Sequence, residues 1–403
     1  MSASDGIKKN NDGPLAVIER MEKGEYAPQL KEKKERVEAL FSGYRPPALE
    51  VFESKTRHYR MRSEFTVWHD GDDMYYVMHQ KEENGPNGTK KIRMDQFPVA
   101  SELVNALMAH VRRLVLENDA LKHKLFQVNF HTTLTGEAMV TMLYHKKLDD
   151  GWTEHAKKMR ESIIADCQGL TCLHVIGRSR KQKICLDKDE VIEAFEVQDR
   201  DTVRYVQVEG AFSQPNAYTC SSMLGWAVSC TQGSGDHDLL ELYCGNGNFT
   251  TVVAPNFRKV IATEVSKSAV AAARKNFEMN NVTNVFVARM RSEEFTEGWK
   301  SGKEYKRLEG SGLLDCSFKT LLVDPPRAGL DPETRKLMEE FDNILYISCN
   351  PDTLKRDYDA VSSIFDIERF AMFDQFPYTN HVECGLYLKK KQDDTSSKRQ
   401  KVE

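Results

Sequence analysis

The sequence predicts an α/β protein in which a doubly wound parallel sheet over residues 209–390 follows an α+β domain over residues 51–208. Three observations carry this expectation. From about Gly210 onward, short continuous apolar runs alternate with helical stretches, the pattern of strands covered on both faces. From His58 to Val208 the runs instead alternate apolar and polar residues between glycine turns, as half-buried antiparallel strands do. Between the two textures, LLELYCGNGNFT (Leu239–Thr250) reads as a buried strand that ends in a Gly-rich turn and opens a helix, a Rossmann-like unit.

Taken in order, residues 1–50 are polar and rich in Lys and Glu, with helical spacing over Tyr26–Phe41; they predict an extension carrying one peripheral helix. In the next segment FTVWHD (Phe65–Asp70), YYVMHQ (Tyr75–Gln80), FQVNFHTT (Phe126–Thr133) and AMVTMLYH (Ala138–His145) are expected strands. Ser101–Glu117 and Gly151–Asp166 are amphipathic and predict helices packed on that sheet. The later strands are LLELY, KVIATE, NVFVARM, KTLLVD and NILYIS. Residues 391–403 form a basic tail with few apolar side chains, expected to be disordered. The string DQFP occurs at Asp95–Pro98 and Asp374–Pro377 with nothing else shared around it, which makes it coincidence rather than a repeat.

Composition narrows the function classes. With 403 residues, 40% hydrophobic and 29% charged, the chain has the make-up of a soluble two-domain protein. No apolar run approaches the roughly 18 residues that span a bilayer, and the N-terminus has no signal-like apolar core. A cytoplasmic location is expected, or a nuclear one, given the basic tail, if the source is eukaryotic. The nine cysteines are scattered, with no C-x-x-C, so disulfides and a structural metal site are not expected. The net charge of −4 does not advertise nucleic-acid binding, although a local basic face can still supply it.

Three segments carry chemistry. In the glycine turn, Gly245 and Gly247 allow close approach of a ligand to the backbone, and Glu264, at the end of the next strand, suits ribose hydroxyls. The spacing does not separate a dinucleotide from S-adenosylmethionine, but the third glycine that packs a helix against a pyrophosphate is absent. In KTLLVDPPRAGLD, Asp324 ends a strand and Pro325–Pro326 form a rigid lip. In NILYISCNPDTLKRD, Cys349 follows a strand, Asn350 can cap the next helix and Pro351 fits its first turn. A helix N-terminus there favours thiolate, and a thiolate can add to carbon 6 of a pyrimidine, making carbon 5 nucleophilic. Taken alone, such a cysteine is more often a packing residue. The chemistry also requires a base for the carbon-5 proton; FDQFPYTNHVECG offers Glu383, with His381 as its rival. Cys244 and Cys384 read as packing residues.

These segments together resemble the bacterial tRNA (uracil-5-)-methyltransferases, over Tyr59–Leu388. The likeness rests on HYRMRSEFTVWHDGDD, HKLFQ, LYHKKLDD, GRSRKQKICLD, FSQPN, LLELYCGNGNFT, LLVDPPRAGLD, LYISCNP and FDQFPYTNHVECG. The resemblance implies a C-terminal methyltransferase domain that uses S-adenosylmethionine, with Gln214, Tyr243, Gly245, Asn248, Glu264 and Asp324 contacting the methyl donor. It implies Cys349 as nucleophile and Glu383 as general base, in agreement with the residue-level reading. It implies an N-terminal RNA-binding domain that meets the T-arm of tRNA, with Phe126, Lys124 and Gln375 at the RNA, in a protein that acts as a monomer. The first cysteine is Cys167, so the N-terminal iron–sulfur cluster of related ribosomal-RNA enzymes is not expected. The segment Lys81–Thr89 departs from the family pattern as a lengthened hairpin. The Pro-Cys and Thr-Cys pair expected of RNA cytosine-5 methyltransferases is lacking, and a tRNA-folding module in which methylation is secondary is the other alternative.

Overall fold

The computed structural model describes residues 13–81, 88–302 and 305–392. The core of the lengthened hairpin and nearly all of the C-terminal tail lie outside these residues. Two helices, α1 (Pro14–Glu22) and α2 (Tyr26–Phe41), lead to the short strand β1 (Glu50–Phe52). The first large sheet follows, from β2 (Arg62–Asp70), β3 (Asp73–Lys81), β4 (Thr89–Met94), β5 (Leu125–Thr132), β6 (Glu137–Tyr144), β7 (Cys172–Ser179) and β8 (Gln182–Cys185). The helices α3 (Glu102–Leu116), α4 (Asp119–Lys122) and α5 (Asp150–Asp166) are set between these strands. The order is β4-β3-β2-β5-β6-β7-β8.

Alternation drives this layer. Phe65, Tyr76 and Phe130 are buried in one cluster with Leu107, Met108 and Val111 of α3, whose N-terminus is closed by Ser101 accepting from the Val104 N–H. One feature differs from the antiparallel expectation: β6 and β7 run parallel. A parallel neighbour needs a crossover of a dozen or more residues, and α5 supplies it.

The hairpin of β9 (Glu190–Phe195) and β10 (Val203–Val208) bridges the two halves: Val191 packs on Met139 and Ile176 of the first sheet. Phe195, Val203 and Tyr205 are buried with residues of the C-terminal domain, and the Tyr205 hydroxyl donates to the Asn248 carbonyl. The C-terminal sheet is then built from β11 (Asp238–Leu242), β12 (Lys259–Glu264), β13 (Val285–Arg289), β14 (Phe318–Val323), β15 (Asn343–Ser348), β16 (Phe365–Phe373) and β17 (Glu383–Lys390). Helices α6 (Ala217–Cys230), α7 (Asn248–Val253), α8 (Lys267–Met279), α9 (Ser292–Ser301), α10 (Pro332–Leu337) and α11 (Pro351–Asp359) cover it. The order is β1-β16-β17-β15-β14-β11-β12-β13, and β17 is antiparallel to both of its neighbours.

Two consequences position the site. Strand order reverses between β11 and β14, the point where open α/β sheets leave a crevice at the carboxyl ends of their strands. The N-terminal segment also belongs to this half: β1 pairs with β16, while Val37 and Phe41 of α2 lie in the sheet's core. The helix over Tyr26–Phe41 is therefore docked along a buried face, with Gln29 and Lys33 buried as well.

Candidate active site

A cleft of about 970 Å³ opens at the switch point, and its walls include Gln214, Tyr243, Gly245, Asn248, Glu264, Asp324, Cys349 and Glu383. The glycine turn forms one wall. Gly245 and Gly247 hold φ angles of 56° and 76°, where a side chain is strained. A Cβ on Gly247 would meet the Phe277 ring at 2.7 Å, whereas one on Gly245 would project into open space. Gly247 is thus needed for packing, and Gly245 leaves room for whatever fills the cleft. Glu264 stiffens the turn by accepting from the N–H groups of Gly245 at 3.1 Å and Ser266 at 2.7 Å. The Tyr243 hydroxyl donates to Asp331 at 3.2 Å and accepts from Ser292 at 2.8 Å.

Gln214 reaches this wall from the linker that joins the two halves. Arg62 of β2 donates to the Ala211 carbonyl at 2.5 Å, and the Met61 N–H donates to the Pro215 carbonyl at 2.8 Å. Arg62 and the Met61 backbone of the HYRMR segment therefore secure the loop that carries Gln214.

The opposite wall holds the reactive groups. β15 and β17 pair as far as Ser348↔Cys384; Cys349 follows the end of that ladder, Glu383 begins β17, and both line the cleft. Burial pushes the Cys349 thiol up to about 11; Glu383 and Asp324 push the same way, and Arg327 opposes them. Burial and the two carboxyls thus work against the thiolate that the adjacent helix N-terminus favours. The Glu383 carboxyl is raised to about 8, chiefly by burial and then by Asp324; Asp324 is raised to about 7 by burial. His381, the rival base, stands within 3.3 Å of Arg327 through Nδ1 and does not line the cleft.

The loop after Asp324 is rigid for reasons beyond its prolines. Asp357, fully buried, accepts from the Leu330 N–H at 2.8 Å and the Tyr346 hydroxyl at 2.7 Å. Arg356 donates to the carbonyls of Ala328 and Leu330, and Asn350 donates to that of Arg327 at 3.1 Å. Sequence reasoning passed over Arg327 and Phe212, which both line the cleft. Phe212 is 76% exposed; its signal was an aromatic two residues before Gln214.

The residues expected at RNA fall in two places. Phe126 lies at a β-bulge, where the β5–β6 register skips from Leu125 to Gln127, and a bulge re-aims its side chain. The ring stacks on His145 at 3.9 Å. Both line a second surface cavity of about 890 Å³, beside Lys146, Lys147, Arg180 and Lys181. Lys124 is exposed next to it, its carbonyl accepting from the His145 N–H. Gln375 is elsewhere and fully buried: its Nε2 donates to Gln214 Oε1 at 3.2 Å, and its Oε1 accepts from the Asn216 N–H at 3.0 Å. A buried amide with protein partners supports the cleft from behind and offers RNA no surface.

Comparison with known proteins matches this geometry to a family. The family model for tRNA (Uracil-5-)-methyltransferase matches residues 25–391. The chain belongs to the tRNA (uracil-5-)-methyltransferase family. It is 48% identical over 366 residues to the tRNA/tmRNA (uracil-C(5))-methyltransferase of Chromohalobacter salexigens, covering 91% of this chain and 96% of that one. It is 47% identical over 369 residues to the enzyme of the same description from Neisseria meningitidis, covering 91% and 98%. Among solved structures, the Pyrococcus abyssi tRNA (uracil-54, C5)-methyltransferase in complex with S-adenosyl-L-homocysteine shares the fold. Its TM-score is 0.65 at 22% identity, over 90% of this chain and 83% of that one. The family member described here is thus a methyltransferase, and among its described residues no helix is long and apolar enough to cross a membrane.

Proposed function

We propose that this enzyme transfers a methyl group from S-adenosylmethionine to carbon 5 of the T-loop uridine of tRNA, through a covalent bond between Cys349 and carbon 6 of the uracil. The observation that carries this reading is that Cys349 and Glu383 line one cleft with the glycine turn. The wall of Glu264 and Asp324 disfavours a pyrophosphate and suits a donor that carries ammonium and sulfonium charges. The open space over Gly245 fits an adenosine moiety laid against the turn, with Glu264 at its ribose. When bound, S-adenosylmethionine supplies an electrophilic methyl group.

The chain's own residues do the rest. The Cys349 sulfur gives up its proton to solvent and, as thiolate, bonds to carbon 6, while the electron pair of the 5,6 double bond moves onto the carbonyl oxygen at carbon 4 as an enolate. Carbon 5 then becomes the nucleophile that takes the methyl group. Glu383, as carboxylate, removes the remaining carbon-5 proton; the 5,6 double bond re-forms and the carbon–sulfur bond breaks. A carboxyl near 8 suits this task, since a general base works best with a pKa close to the working pH. Flipping a uridine out of its stack costs about a few kcal/mol. Phe212 at the cleft mouth, and Phe126 with Lys124 beside the basic cavity, are the groups placed to offset it. Here Gln375 acts through Gln214 rather than on RNA.

The deciding experiment uses T-arm RNA containing 5-fluorouridine, whose fluorine cannot leave as a proton. Wild-type enzyme with donor should give a stable protein–RNA adduct on a denaturing gel, and Cys349→Ala should give none while still binding RNA. An adduct in the alanine variant would assign the nucleophile elsewhere.

A further inference from the structure

Behind the cleft, the loop joining β16 to β17 is gripped by the N-terminal helices. Lys33 and Asp374 are 4% and 0% exposed and form an ion pair at 2.6 Å. Lys33 also donates to the Phe376 carbonyl at 2.9 Å. Gln29 donates to the second Asp374 oxygen at 3.2 Å and accepts from the Tyr378 N–H at 3.0 Å. Arg20 donates to the Tyr378 carbonyl at 2.9 Å and Arg36 to that of Asn380 at 2.7 Å. One face of α2 thus holds the backbone from Asp374 to Asn380 at several points.

A buried ion pair is a poor way to obtain stability alone, because desolvating both charges consumes most of their attraction, and packed apolar residues would hold as well. What the pair does supply is direction. The residue after Asp374 is Gln375, whose Nε2 donates to Gln214 Oε1 at 3.2 Å. With its oxygen engaged in this way, Gln214 has its amide N–H groups left for the cleft. The far end of the same loop runs into Glu383.

We propose that α2 is a positioning element for the methyl-donor site: the Lys33–Asp374 pair sets the loop so that Gln375 orients Gln214 toward the donor. Lys33 acts through Asp374 and Gln375, not on the donor itself. The inference rests on the reading that the cleft takes S-adenosylmethionine.

The test uses the full chain, with S-adenosylhomocysteine as the calorimetric probe in the absence of RNA. Lys33→Met should raise the Kd of the probe and the KM for the donor about tenfold, with kcat at saturating donor within about twofold of wild type. Gln375→Leu should give a similar shift, and the two together little more than either alone, as expected of residues acting in one chain. If Lys33→Met does not fold, the double variant Lys33→Met/Asp374→Asn, which leaves no unpaired buried charge, carries the same expectation. A folded variant with lower thermal stability but wild-type Kd and KM would overturn the proposal, as would full additivity with Gln375→Leu. Failure of the wild-type enzyme to bind the probe would instead refute the reading of the cleft. In that case amide exchange over residues 375–381 decides the brace: faster exchange in Lys33→Met supports it, and an unchanged rate overturns it.

Discussion

Glu383 is a nearly buried carboxyl, 5% exposed, raised to about 8 by burial and by Asp324. At pH 7 most of it is protonated, and the carboxylate fraction grows as pH rises through about 8. If it removes the carbon-5 proton, breakdown of the methylated adduct should quicken about tenfold per pH unit below 8 and level off above it; quenched-flow sampling on denaturing gels reads this directly. Glu383→Gln keeps the shape without the base. It should accumulate methylated adduct with ordinary uridine RNA, at every pH in that range. Normal turnover in this variant would return the role to His381. The Cys349 thiol, pushed up to about 11 chiefly by burial, has to lose its proton before it can add to carbon 6.

The glycine turn between β11 and α7 separates packing from ligand binding within three residues. Gly247→Ala places a Cβ 2.7 Å from the Phe277 ring at a φ of 76°. It should cost about 1–3 kcal/mol of stability, read as a lower urea midpoint. Gly245→Ala meets no protein atom within 4 Å, so it should cost only about 1 kcal/mol of backbone strain yet weaken S-adenosylhomocysteine binding at least about tenfold. Unchanged binding in Gly245→Ala would remove the donor from this wall. The two variants together distinguish a turn needed for chain reversal from a turn shaped around a ligand.

At the scale of the whole molecule, four acids among the described residues are raised first of all by burial: Asp324 to about 7, Glu383 and Glu241 to about 8, and Glu193 to about 7. Each keeps its proton to a higher pH in the folded chain than in the unfolded one. The stability it contributes is complete below about pH 4 and is lost as pH rises through its folded value. His131, lowered to about 3 by burial, acts in the other direction, but only below its ordinary value of 6.5. Between pH 6.5 and 8 the buried acids set the sign. The ligand-free enzyme should therefore melt lower at pH 8.0 than at pH 6.5, and Glu241→Gln should recover about 1–2 kcal/mol of the difference. A flat melting profile over that window would show that these carboxyls are more solvated than their burial implies.

Chain-local information carried the second half of the molecule far. The continuous apolar runs of β11, β12, β14 and β15 lie within a residue of their expected places, because a strand buried on both faces writes its burial into consecutive residues. The Gly-rich turn, Asp324 and Cys349 were legible for the same reason, since strand ends are where such sheets place ligands. The helix over Tyr26–Phe41 was read as peripheral, and helical spacing cannot say what a helix docks against; α1 (Pro14–Glu22) was not foreseen. The buried Lys33–Asp374 pair, spanning 341 positions, has no local signature at all. The carboxyls that raise the Cys349 thiol arrive from other strands and likewise leave no local signal. Gln375, read as an RNA contact, lies against Gln214 from 161 positions away. The sequence by itself determined the buried strands of the second half, their order along the chain and the segments that carry the candidate reactive side chains. Tertiary structure decided burial, pKa and which groups face one another, because these depend on the low-dielectric interior that only the folded chain creates.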